Sequence, residues 1–142
     1  MNPRFINLYM DLAERISRMS YAKRLQVGSV IVKKNTILSY GWNGMPTGWD
    51  NTCEHTLEDG SLKTRPEVLH SEMNALMKVA QSTESSSGAT LFCTHAPCID
   101  CAKAIYQAGI SNLYYREEYR STSGTQFLKI SGVNVHRYSD RT

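Results

Sequence analysis

The chain has 142 residues, 41% of them hydrophobic and 20% charged, a balance that suits one globular domain with one core and gives no sign of disorder. Its 16 basic and 13 acidic residues leave a formal charge of +3, and the basic ones are scattered rather than striped along a helix, which argues against a polynucleotide binder. No apolar run approaches the roughly 18 residues that would cross a bilayer.

Between Met1 and Met19 the charges of Arg4, Asp11, Glu14, Arg15 and Arg18 interrupt the apolar pattern, so no signal peptide is expected there. With four cysteines and no export signal, the expected compartment is the reducing cytoplasm, where thiols go to metal before disulfides. Asn2-Pro3 predicts a helix start, with Asn as cap and Pro at the first helical position. Phe5, Leu8, Tyr9, Leu12, Ile16 and Met19 then recur at three- and four-residue spacing and define an expected buried face. Ser20 to Leu25 reads as a short basic loop. Val27 to Val32 and Thr36 to Tyr40 read as strands joined by a hairpin turn at Lys33-Lys34-Asn35. Gly41-Trp42-Asn43-Gly44-Met45-Pro46-Thr47-Gly48-Trp49 follows, a loop whose glycines let backbone approach a ligand closely.

Asp50 to Val68 is long and polar with no clear element, as functional loops often are. Cys53-Glu54-His55 within it is a possible second metal site, with a plain surface loop the commoner reading. Leu69 to Gln81 predicts a helix with Met73, Leu76, Met77 and Ala80 inward, and Ala89 to Thr94 a short buried strand. A helix from Pro97 carries Ala102, Ile105 and Ala108 inward and stops at Gly109. Ile110 to Arg116 is a strand, Thr125 to Ser131 a short helix with Phe127, Leu128 and Ile130, and Val133 to Tyr138 a closing strand. Helical crossovers between the last three strands make them parallel, with right-handed connections. The expected fold is a single domain over residues 1–142, a three-layer α/β/α sandwich on a five-stranded mixed sheet.

The chemistry concentrates between His70-Ser71-Glu72 and Pro97-Cys98-Ile99-Asp100-Cys101. Catalytic zinc takes three protein ligands and leaves one place open, and His70, Cys98 and Cys101 supply one nitrogen and two sulfurs. Glu72 is then free to act on water instead of on the metal. A structural site would need a fourth ligand, for which Cys53, His55, Cys93 and His95 are the spares; Cys53 and Cys93 are otherwise expected to be free thiols. Cys98 and Cys101 fall in the first turn of a helix, whose positive end favours thiolate. Zinc lowers the pKa of water from 15.7 to about 7, and Glu72 can serve as general base and then general acid. Loss of ammonia from an amidine-like ring carbon needs those transfers and no organic cofactor.

H-x-E followed by P-C-x-x-C matches the signature of the zinc nucleobase deaminases. Joined to Gln26-Val27-Gly28, the Gly41 to Gly48 loop, His70 to Leu76, Pro97 to Lys103 and Ala108-Gly109-Ile110, it makes the chain resemble the deoxycytidylate (dCMP) deaminases of the cytidine deaminase-like superfamily. The resemblance implies Zn²⁺ on His70, Cys98 and Cys101, a proton shuttle at Glu72, and dCMP as substrate with dUMP as product. It also implies that Asn43 hydrogen-bonds the sugar and that the backbone N–H of Ser71 reaches the pyrimidine carbonyl. Ser71 stands where the family usually has Ala, an exchange expected to be harmless. Tyr119 is expected to pack on the base, and Lys23, Arg24 and Arg120 are the candidate phosphate ligands.

Many members of this family are hexamers activated by dCTP and inhibited by dTTP, with Mg²⁺ on the triphosphate. The resemblance places an effector site on Gly41, Trp42, Asn43, Gly44 and Gly48, with Trp42 replacing the more frequent Tyr. Two other readings compete. A tRNA adenosine deaminase shares the zinc motif and a Gly-Trp-Asn loop, but the weak net charge, the lack of a basic C-terminal extension and Gly44-Met45-Pro46-Thr47-Gly48 argue against it. A non-catalytic, zinc-stabilised nucleotide-binding protein would have no use for Glu72.

Overall fold

The computed structural model describes residues 1–139, so residues 140–142 of the expected domain lie outside it. Asn2 caps the first helix, α1 (Pro3–Ser17), by accepting from the Arg4 N–H at 2.9 Å. Strands β1 (Gly28–Lys33) and β2 (Thr36–Trp42) form a hairpin whose two loop residues, Lys34 and Asn35, have φ of 51° and 56°. Positive φ at both positions is what a tight turn matching the strand twist requires. The Tyr9 hydroxyl on α1 donates to Asn35 Oδ1 at 2.7 Å and pins that turn.

The chain continues through β3 (Glu54–Thr56), β4 (Leu62–Thr64), α2 (Ser71–Ala80), β5 (Thr90–His95), α3 (Ile99–Gln107), β6 (Asn112–Glu117), α4 (Ser123–Ile130) and β7 (Asn134–Arg137). The main sheet has the order β2-β1-β5-β6-β7. Strands β5, β6 and β7 run parallel, as the crossovers require, while β1 is antiparallel to both its neighbours. The expected five-stranded mixed sheet and α/β/α layering are therefore present. Alternation along the strands feeds two cores. Val30, Val32, Phe92 and Tyr114 meet α1 on one face, and Ile31, Leu91, Cys93, Leu113 and Tyr115 meet the other helices on the opposite face.

Several sequence expectations are corrected. The buried stripe of α1 is Ile6, Tyr9, Met10 and Ala13, with Phe5, Leu12 and Ile16 at its margin; Leu8 and Met19 are exposed. Both stripes satisfy a 3.6-residue period, and only the position of the sheet chooses between them. On α2 the inward residues are Ala75, Leu76 and Val79; Met77 and Ala80 face out. Ile130 is 87% exposed at the last position of α4. Asp50 to Val68 is not elementless, because β3 and β4 pair as a two-stranded ladder, Glu54 opposite Thr64 and Thr56 opposite Leu62. The available signal was Asp59-Gly60, with Gly60 at φ +85° in the turn. Among the described residues no helix is long and apolar enough to cross a membrane.

One ion cluster ties α1 to the sheet. Arg116 on β6 is 2% exposed, and its guanidinium meets Asp11 at 2.7 Å and Glu14 at 3.1 Å. Replacing Asp11 and Glu14 together with Ala strips a buried cation of both these carboxylates. The expected loss is about 3–5 kcal/mol of stability, read as a lower urea midpoint with an unchanged slope.

Candidate active site

Two helix starts converge on one point. His70 is the N-cap of α2 and Cys98 the N-cap of α3, with Cys101 in the first turn of the latter. Parallel strands deliver their carboxyl ends to one edge of a sheet, so β5 ends at His95 and feeds the cysteines there. Backbone contacts fix both approaches. Leu69 and Gly44 exchange N–H···O bonds at 2.8 and 3.1 Å, an isolated bridge that holds the segment before His70 against the glycine-rich loop. Ala96 donates its N–H to Glu117 O at 2.8 Å, which holds the turn before Cys98 to the end of β6.

Glycine is required at two of these contacts. A Cβ at Gly41 would lie 2.6 Å from Ser71 O and 2.7 Å from Ala75 N, so β2 could not close on α2. A Cβ at Gly124, on α4, would press on the carbonyl of Pro97 and come within 2.9 Å of the Cys98 backbone.

The ligand atoms of His70, Cys98 and Cys101 all lie within 4.8 Å of one another, and this is the one such cluster among the described residues. Tetrahedral zinc with Zn–S of about 2.3 Å and Zn–N of about 2.05 Å sets N···S separations of about 3.6 Å. Here His70 Nδ1 lies 3.2 Å from Cys101 Sγ and 3.5 Å from Cys98 Sγ. The donor set and its spacing fit zinc. Charge agrees: the Cys101 thiol donating to Cys98, with His70 beside it, holds Cys98 down to about 4 against the opposing effect of burial. Cys101 is pushed up by giving that hydrogen bond and by burial, and the bond to Cys98 raises His70.

Glu72 is buried at the same helix end and stands outside the ligand cluster. Burial raises its pKa, partly offset by the hydrogen bond from Ser71, and a carboxyl group tuned upward suits proton transfer near neutral pH. The Ser71 hydroxyl donates to Glu72 Oε1 at 2.8 Å; with its proton so used, it accepts from Ser29 Oγ at 2.7 Å. Both serines are fully buried, so this side chain orients the carboxylate, a use the sequence did not reveal.

These groups open into a cleft of about 660 Å³, within the usual range for a small-molecule site. Asn43, Ser71, Glu72, His70, Cys98, Tyr119, Arg24 and Arg120 all line it. Lys23 does not; it is exposed, and its backbone N–H is turned to Glu54. Asn43 Oδ1 accepts from the Val27 N–H and its Nδ2 donates to Leu25 O, both at 2.8 Å, so the side chain braces the cleft wall and keeps one N–H for a ligand. Arg120 lies over the Tyr119 ring, 5.4 Å from its centroid. Trp42 is outside the lining: its ring stacks on Tyr40, with Lys78 Nζ 5.4 Å from its centroid, on the outer side of β2. Gly44 and Gly48 lie on the same loop, Gly48 at φ +89°.

Sequence reasoning passed over Val27, Glu54, Thr64, Ala96, Glu117 and Glu118 as lining residues and named His95 only as a spare ligand. Burial lowers the pKa of His95, which keeps its ring neutral, and Nδ1 lies 2.8 Å from Thr94 Oγ1.

Residues 3–117 match the family profile described as the cytidine and deoxycytidylate deaminase zinc-binding region. The chain belongs to that family. Its ligand cluster, cleft and helix starts are therefore those of a zinc-binding deaminase domain. The deoxycytidylate deaminase of Enterobacteria phage T4 is 31% identical over 89% of this chain and 86% of its own length. ComE operon protein 2 of Bacillus subtilis is 32% identical over 91% of this chain and 68% of its own. A crystal structure of dCMP deaminase from the cyanophage S-TIM5, in complex with dCMP and dUMP, superposes with a TM-score of 0.90 at 51% identity, over 97% of this chain and 99% of that one. A Gly124→Ala deaminase should keep its fold but bind zinc about 10- to 100-fold more weakly, as when metal-supporting contacts are lost; competition with a chromogenic chelator measures this.

Proposed function

We propose that this deaminase hydrolyses dCMP to dUMP and ammonia. The observation that carries the reading is the buried carboxylate of Glu72 beside, and not within, a His/Cys/Cys cluster at the floor of a nucleotide-sized cleft. The family and the dCMP deaminases to which the chain is similar support the same substrate.

Zinc held by His70, Cys98 and Cys101 supplies Lewis acidity and a water acidified to a pKa of about 7. The protein does the rest. Glu72 takes a proton at its carboxylate from the attacking water and hands it to the ring nitrogen next to the amino-bearing carbon. It then takes the remaining proton from the hydroxyl formed on that carbon and gives it to the amine, which leaves as ammonia while the carbon becomes a carbonyl. Ser71 holds Oε1 of that carboxylate, so one oxygen is anchored and the other is left to move protons. The Ser71 backbone N–H meets the pyrimidine carbonyl, Asn43 the sugar, and Tyr119 the base. Arg24 and Arg120 at the cleft mouth meet the phosphate. Neither guanidinium has a carboxylate partner among the described residues, which leaves both available to an anion.

Regulation by dCTP as activator and dTTP as inhibitor, with Mg²⁺ on the triphosphate, belongs to this reading, as does a homohexamer. What supports an effector site on the loop of Gly41, Trp42, Asn43, Gly44 and Gly48 is its bonding to the segment before His70 and the Asn74 Nδ2 donation to Trp42 O at 2.7 Å. None of the four cysteines is in a disulfide, which fits a reducing cytoplasm.

Ammonia release measured side by side on dCMP, cytidine and an adenosine-containing tRNA hairpin tests the substrate: dCMP should win, and a preference for the hairpin would move the chain to the tRNA adenosine deaminases. Glu72→Ala should keep zinc and fold while turnover falls about 10²–10⁴-fold, whereas His70→Ala should lose the metal. An active Glu72→Ala protein would remove the proton-shuttle role. Titrating dCTP and dTTP with Mg²⁺ into the dCMP assay should raise and lower activity respectively; indifference to both rules out retained regulation.

A further inference from the structure

We infer that Glu54 is a positioning residue for the phosphate of the substrate: one rung of the β3–β4 hairpin, Glu54 opposite Thr64, holds both the backbone and the guanidinium of Arg24 at the cleft mouth. The inference rests on dCMP being the substrate and deepens that reading.

Glu54 is 8% exposed, and Oε2 accepts the backbone N–H groups of Lys23 at 2.8 Å and Arg24 at 3.0 Å. A buried carboxylate is costly unless bonded, and among the described residues no cation pairs with this one. Two successive backbone N–H groups converging on one oxygen fix the path of the chain from Lys23 into Arg24. Across the ladder, Thr64 Oγ1 accepts from Arg24 Nη1 at 3.1 Å. That contact orients the side chain with a neutral hydroxyl, so the positive charge is aimed without being cancelled. A guanidinium held at one nitrogen keeps its other donors for an incoming anion. The far side of the same loop is also tied down, since Gln26 Nε2 donates to Ser20 O at 2.8 Å and Ser20 Oγ to Asn43 O at 2.7 Å. Glu54, Thr64 and Arg24 all line the cleft that holds Glu72.

Steady-state kinetics on zinc-loaded Glu54→Ala, Thr64→Val and Arg24→Ala proteins, with dCMP and with deoxycytidine, tests this. Deoxycytidine lacks the phosphate and reports everything else in the site. KM for dCMP should rise about 10-fold in Glu54→Ala and about 3-fold in Thr64→Val, with kcat within about 2-fold, the scale of losing charge-assisted contacts. For both variants kcat/KM on deoxycytidine should stay at the wild-type value. Adding Glu54→Ala to Arg24→Ala should raise KM no further, because both remove one interaction.

Equal losses on dCMP and deoxycytidine, or an additive double variant, overturn the inference and leave Glu54 as a fold residue only. If Glu54→Ala does not fold, Thr64→Val decides by the same split, with its melting temperature as control. A wild-type protein that does not prefer dCMP to deoxycytidine sinks the substrate reading itself. Because Arg120 also faces the phosphate, Arg24→Ala should weaken the dCMP preference without abolishing it; a preference left undiminished by Arg24→Ala sinks this inference alone.

Discussion

Three ligand atoms, drawn from residues as far apart as His70 and Cys101, have to sit within hydrogen-bonding distance of one another, and the packing around them follows from that demand. Each ligand segment is the start of a helix, where unsatisfied N–H groups point outward and favour negative charge. Bringing two such ends together sets the Cys101 thiol and the His70 ring beside Cys98, and their hydrogen bonds hold its pKa low against burial. The opposing cost is crowding. Glycine at 41 lets β2 close on the backbone of α2, and glycine at 124 lets α4 close on the Pro97–Cys98 backbone. Both glycines face backbone there, and so set where the ligand segments can lie.

The carboxylate next to the cluster is held by the sheet rather than by its own helix alone. Ser29 on β1 and Cys93 on β5 are opposite one another in the ladder, and Ser71 stands over that pair. The line from Cys93 through the two hydroxyls to Glu72 runs through residues of almost no exposure, so it is stiff. A general acid–base group must keep its place while its charge changes, and a hydroxyl suits this because it can donate to one neighbour and accept from another. The mouth of the cleft is made differently, from loops and short strands that carry Arg24, Tyr119 and Arg120. A buried floor and a rim of hydrogen-bonded loops thus divide the pocket along its depth.

Much of this was legible in the one-dimensional pattern. Zinc ligation depends on residue type and local spacing, and a separation of three along a helix start brings Cys98 and Cys101 to one side whatever surrounds them. The element order and the parallel run of the last three strands followed from periodicity and crossover length, which are also local. On α1 the expected Phe5, Tyr9, Leu12 and Ile16 do meet the core, but its centre is Ile6, Met10 and Ala13 while Leu8 and Met19 are exposed; the facing Val30, Val32 and Phe92 set that centre. The β3–β4 ladder escaped notice because three-residue strands of mostly polar residues have no apolar alternation to read.

Residue chemistry and near-neighbour spacing thus pointed to the proposed metal ligands and the proposed proton-moving carboxylate and gave the layered α/β plan, since each is encoded within a turn or two of chain. Which residues brace that machinery was left to the folded chain: Ser29 under Ser71, Glu54 under the loop of Arg24, Gly124 against Cys98. Those pairs are separated by tens of residues, and nothing in either partner's local sequence names the other. They meet only because the order of the strands and the path of the loops carry them to the same edge of the sheet.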